Sequence, residues 1–159
     1  DRTMLDLREL LSMERIARVS GPVRLLFAVR GWLGRTLSWD REPSGTARTS
    51  YIERLSEEDR KASLVEPGTV EGPFRVLYVS SAEAILEIHN ATVHAFSVFA
   101  LRPRDGGYRM LWAIYVKPVG ALTAGYMRLI DPFRRLIVYP AVLRYVKSSW
   151  VREEPAEAA

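Results

Sequence analysis

The chain has 159 residues, of which 48% are hydrophobic and 26% charged, which fits one globular domain large enough to bury a core without staples. It contains no cysteine and only two histidines, His89 and His94, which excludes disulfides, thiolate nucleophiles, cysteine-ligated zinc and histidine-rich metal sites. Its net charge of +4, from 23 basic and 19 acidic residues, is compatible with anionic partners without demanding them.

Residues 4 to 17 place Leu5, Leu7, Leu10, Leu11, Ile16 and Ala17 among charges, a spacing that suits one amphipathic helix. Ser20-Gly21-Pro22 breaks it, and Pro22 fits the first turn of a second helix carrying Val23, Leu25, Leu26, Phe27, Val29 and Trp32 to about Arg35. The run Leu25-Leu26-Phe27-Ala28-Val29 is far short of the roughly 20 residues of a membrane span. Arg24, Arg30 and Arg35 with Phe27, Trp32 and Trp39 suit either an anionic membrane surface or, more ordinarily, a packed helix with a solvated arginine face. Residues 40–47 read as a loop, Thr49 to Leu55 as a short strand, and Ser56 as the N-cap, with Asp59 three residues on, of a short helix through Leu64.

From Phe74 the period changes to two, predicting strands at 74–79, 82–89, 92–102 and 107–117 in an antiparallel meander. Asp105-Gly106 is a two-residue hairpin signal, so Arg104 should pair with Gly107. Val93, Ala95, Ser97, Phe99 and Leu101 then share a face with Met110, Trp112, Ile114 and Val116. A second two-residue turn at Asn90-Ala91 adds Ala84, Leu86 and Ile88 to that apolar face and sets Glu87 directly opposite His94 on the other, mixed face. After Pro118 a helical pattern runs to about Ser149, with Leu122, Tyr126, Leu129, Phe133, Leu136, Pro140 and Leu143 on one stripe and a kink or restart expected at Pro132 or Pro140.

These elements predict an α+β fold: N-terminal helices at 4–35, a curved antiparallel sheet over about 74–117 and a long C-terminal helix over about 119–149 packed across its apolar face. Residues 1–150 form one domain in this reading, and 151–159 a fraying acidic tail. The space between helix and sheet should be lined by Ser97, Phe99, Met110, Trp112, Ile114, Tyr126 and Phe133, which makes these the candidate ligand-binding residues.

Gly68-Thr69-Val70-Glu71-Gly72-Pro73-Phe74-Arg75-Val76-Leu77 resembles the G-x-x-x-G-P-F-x-V-L start of the sheet in a bacterial family of domains of unknown function. His94-Ala95-Phe96 and the run from Tyr126 to Val138 resemble two further stretches of that family. The family is similar to the START-like (SRPBCC, birch-pollen-allergen-like) superfamily, whose helix-grip fold wraps a sheet around a long C-terminal helix. The resemblance covers roughly residues 45 to 148. It implies a helix grip that binds apolar molecules such as lipids or polyketides, as some members do, while others are cyclases or dehydratases. It carries over no catalytic residue. Arg134 stands where relatives carry His, which removes one acid or base, and the fold's first strand, without a counterpart here, is expected upstream of Asp1.

The chemical candidates each have a plainer reading. His94 with Glu87 could form a tuned general base, but a cross-strand pair on the face away from the cavity is preferred. Ser97 could orient a ligand through one hydrogen bond, or simply bond to backbone; no G-x-S-x-G elbow makes it a nucleophile. Tyr126 and Tyr78 could donate hydroxyl protons into the cavity or serve as core. Arg102, Arg104 and Arg109 at the last hairpin tip could hold an anion, with a solvated turn preferred. No Walker, Rossmann, HExxH or EF-hand pattern occurs, and no nucleic-acid module surrounds the arginines. The expected function is binding of an apolar or amphipathic small molecule, with a metal-free cyclase or dehydratase, or a membrane-surface module, as alternatives. No metal or cofactor is called for, no nucleic-acid partner is expected, and cytoplasm is the expected location.

Overall fold

In the computed structural model, residues 3–36, 50–90, 93–118 and 121–152 are described. Trp39, the loop at 40–47, Thr49, Ala91 and the acidic tail from Glu153 lie outside them.

The N-terminal pattern forms two helices, α1 (Met4–Leu10) and α2 (Met13–Ala17), where one was expected. The break has a packing reason. In one continuous helix Ile16 would sit about 150° round from the centre of the Met4–Leu7–Leu11 stripe, at about 100° per residue. The turn at Leu11-Ser12 lets Ile16 join those residues in the core. Helix α3 (Gly21–Thr36) follows. Tyr51–Arg54 is a 3-10 turn and not the expected strand, because Ser50 accepts from the Ile52 N–H and starts a helical turn. Helix α4 (Glu57–Ala62) is capped as expected: the Asp59 N–H donates to Ser56 Oγ at 3.0 Å.

The sheet has five antiparallel strands in sequential order: β1 (Val70–Glu71), β2 (Phe74–Val79), β3 (Glu83–His89), β4 (His94–Arg104) and β5 (Gly107–Lys117). The two-residue β1, too short to show a period, was not foreseen. It turns into β2 through Gly72, whose φ of 59° only glycine adopts without strain, and the rigid Pro73. Leu77 is an extra residue between the Val76–Leu86 and Tyr78–Ile85 pairs, a bulge that bends the sheet. The last hairpin pairs Arg104 with Gly107 as expected, with Gly106 at φ 77°.

The β3–β4 hairpin differs from expectation. His89, not Glu87, lies opposite His94. The hairpin closes at Asn90 and Val93, whose N–H groups donate to Val93 O and to Asn90 Oδ1 respectively. Asn90 thus opens the turn where it was expected to sit in its centre. The register moves by two residues, so every side chain keeps its expected face.

The C-terminal helical run divides into α5 (Ala121–Phe133), a π-helical turn at Arg134–Val138, and α6 (Tyr139–Arg152). Pro132 and Pro140 flank the irregular turn, as expected of residues that remove helical donors. The stripe predicted to close over the sheet does so only in part: Tyr126, Leu129 and Phe133 border the space in front of the sheet, but the stripe is not buried. Leu129, Phe133, Leu136 and Leu143 are exposed, Leu136 at 77%. The buried positions of α6 are Ala141, Val142 and Val146, one residue out of phase with the stripe. Helix α6 packs against α1 and meets Trp112 of the sheet through Tyr139. The core joins Met4, Leu7, Leu11 and Ile16 to Val76, Val79, Leu86, Phe99 and Leu101 and to the buried side of α6.

Candidate functional site

Between the apolar face of the sheet and the helices lies a half-open cavity of about 1230 Å³. Strands β3 to β5 supply Leu86, Ser97, Phe99, Trp112 and Ile114; α5 supplies Tyr126, Ile130 and Phe133; α1 and α3 add Leu5, Leu26, Phe27 and Val29. Alternation along paired strands carries these side chains to one face, and the N-terminal helices wall the side that the sheet leaves open.

Six of the seven residues read from the sequence line this space: Ser97, Phe99, Trp112, Ile114, Tyr126 and Phe133. Met110 shares their face but sits toward the hairpin tip, packed on the core cluster. Trp112 faces the C-terminal helix, its ring edge-on to Tyr139 at 4.9 Å between centroids and stacked on Phe99 at 5.7 Å. Ser97 Oγ accepts the Trp112 indole N–H at 2.9 Å, where a bond to backbone was the preferred expectation. Tyr78 pairs with Ile85, which puts it on the opposite face of the sheet.

The polar groups that sequence reasoning missed are Arg8, Arg134 and Tyr139. Arg8 lines the cavity and ion-pairs with Glu71 of β1. Arg134 also lines it; its Nε donates to the Tyr139 hydroxyl at 2.8 Å, and its Nη2 donates to the same oxygen. These two residues are five apart, a spacing that α-helical periodicity sets about 140° apart and a π-helical turn brings together. Only the irregular turn reveals the pair.

His94 and Glu87 lie on the other face, as expected, but that face is covered. Glu87 is 1% exposed and His94 2%. The Ser50–Arg54 segment closes over them: Ser50 Oγ and the Tyr51 N–H donate to Glu87, the latter at 3.0 Å. His94 Nε2 lies 2.7 Å from Glu87 Oε1, diagonal to it in the register. His89 stacks on His94 at 4.2 Å, and Tyr51 meets His94 edge-on at 5.4 Å. Burial works to raise the Glu87 pKa, but the bonds from Ser50, Tyr51 and His94 together outweigh it, and the net shift is downward. Arg102, Arg104 and Arg109 are exposed at the hairpin tip. Among the described residues no group of three or more His, Asp or Glu could hold a metal ion.

The sequence profile of a family described as "Protein of unknown function (DUF2867)" matches residues 3–141. The chain belongs to this family. No curated protein and no solved structure matches it. The DUF2867 match spans α1 through the first residues of α6, so the helices that wall the cavity and the whole sheet fall within the family's common region.

Proposed function

We propose that this DUF2867 protein binds an apolar or amphipathic small molecule, lipid- or polyketide-like, between its sheet and its C-terminal helix. The observation that carries this reading is the cavity of about 1230 Å³ lined mainly by apolar side chains. Folded interiors pack to high density, and concave, mainly apolar spaces with a few polar groups are what small-molecule sites offer. Apolar burial contributes about 25 cal/mol per Å². A ligand burying a few hundred Å² therefore binds in the micromolar range after the cost of association. Kinship with START-like proteins and a bacterial, cytoplasmic setting belong to the same proposal. No nucleic acid or cofactor enters it.

A cyclase or dehydratase would need an acid or base aimed into the same space. The carboxylates that line it, Glu9, Glu14 and Glu71, are ion-paired with Arg15, Arg18 and Arg8 respectively. That pairing weighs against a carboxylate as the acid or base. Native mass spectrometry of purified protein tests the reading: a co-purifying small molecule is expected. Only the bare chain mass, together with no tryptophan response to fatty acids, sterols or aromatic polyketides, overturns it.

A second reading has its own observation. Helix α3 and residues 121–152 hold nine basic residues against one acidic, Asp131, so the remainder of a chain of net charge +4 is net acidic. On these same helices Leu25, Val29, Trp32, Leu129, Phe133 and Leu136 are exposed. Apolar side chains among segregated cations suit peripheral docking on an anionic lipid surface. Among the described residues no helix is long and apolar enough to cross a membrane. Co-sedimentation with phosphatidylglycerol vesicles but not phosphatidylcholine vesicles is expected, and equal behaviour with both rules the surface out.

A further inference from the structure

We propose that Arg134 and Tyr139 form a head-group site for a single carboxylate carried on the apolar body of the ligand, an inference that rests on the cavity reading above. Arg134 lines a mainly apolar space and its side chain is only 18% exposed. A cation so placed needs compensation, and Arg134 has little. Asp131 stands 3.9 Å from its Nη1 and is already engaged by Arg135 Nε at 2.8 Å. The other contact of Nη1 is the Met127 thioether at 3.8 Å, a weak acceptor. Arg8, the other arginine of the cavity wall, differs in this respect: Glu71 balances it directly.

Tyr139 completes the site. Its hydroxyl oxygen accepts two N–H groups from Arg134, and among the described residues no acceptor takes the hydroxyl hydrogen. A carboxylate beside Nη1 would accept from the guanidinium with one oxygen and from the Tyr139 O–H with the other, the charge-assisted pattern that arginine favours. Asp131 compensates Arg134 only in part, so one added negative charge balances the site and two would overcharge it in a low-dielectric space. The apolar body then lies against Trp112, which Tyr139 touches. The π-helical turn supplies the geometry, consistent with the frequent use of such turns at functional sites.

Isothermal titration calorimetry of the full chain with dodecanoic acid, dodecan-1-ol and acetate tests this. The acid is expected to bind about tenfold or more tighter than the alcohol, the ratio charge-assisted hydrogen bonds deliver, and acetate, lacking the body, is expected not to bind measurably. Arg134→Gln should weaken the acid about tenfold or more and the alcohol much less, removing the preference; Tyr139→Phe should lower the preference several-fold. Equal binding of acid and alcohol by the native chain, or an equal loss of both in Arg134→Gln, overturns the head-group site while leaving the cavity reading standing. Failure of both long-chain probes overturns the cavity reading and this site with it. Should Arg134→Gln not fold, the native acid-to-alcohol ratio and Arg134→Lys, expected to bind the acid with intermediate affinity, decide the matter.

Discussion

Glu87 and Arg134 are both charged side chains held largely away from solvent, one behind the sheet and one in front of it, yet their surroundings differ in kind. Behind the sheet, both Glu87 oxygens are taken, by Ser50, Tyr51 and His94, and aromatic rings fill the remaining space. In front, Arg134 meets a single tyrosine hydroxyl and a half-shared carboxylate at the wall of a cavity. Buried polarity enclosed by its own partners holds the fold together. Buried polarity beside empty space is left to recognise something else. The residues that first invite a catalytic reading, His94 and Glu87, fall on the structural side of this divide.

The largest expected effect tests that assignment. Glu87→Ala leaves Ser50, His94 and the Tyr51 amide without their shared partner and should cost about 3 kcal/mol of stability, read as a lowered urea midpoint. Ligand affinity in the cavity should not change in the Glu87→Ala or His94→Ala proteins that remain folded. A binding loss without a stability loss would break the comparison between the two faces.

The pH dependence follows from the same carboxyl. Its pKa is lower folded than unfolded, because the bonds it accepts outweigh its burial. The folded state therefore binds fewer protons through this group, so its contribution is full above the ordinary glutamate range and is lost as pH falls through the lowered value. Acid titration of the native chain should show this loss of stability, and Glu87→Gln should flatten it. An unchanged acid profile in Glu87→Gln would show that the Ser50–Arg54 cover does not depend on the charge.

A smaller effect is expected at the front. Ser97→Ala leaves the Trp112 indole N–H without its acceptor and should cost about 1 kcal/mol, accompanied by a shift in tryptophan emission. The smallest concerns the exposed stripe: Leu136→Ala should change stability by less than about 0.5 kcal/mol. A loss of 2 kcal/mol or more, as for a core leucine, would return that stripe to the sheet.

Much of this was legible in the chain. Alternation from Phe74 onward, Gly72-Pro73 and Asp105-Gly106 were enough to assign the faces, and six of seven expected cavity residues line the space. The assignment survived a misplaced β3–β4 turn because a two-residue shift restores the face. The C-terminal stripe failed for the converse reason. A leucine pattern reports amphipathicity but not which side meets the partner, and α6 turns Ala141, Val142 and Val146 to the core, where it packs against α1.

The sequence by itself determined which residues alternate, where chain reversals need glycine or proline, and that no cysteine chemistry is possible, since these depend on neighbours along the chain. Tertiary structure alone decided that Ser50 and Tyr51 close over Glu87, 37 and 36 residues away. It alone decided that a π-helical turn sets Arg134 against Tyr139 and that the N-terminal helices wall a cavity where they could have filled it. Those outcomes depend on how elements distant in the chain share volume, which local periodicity does not encode.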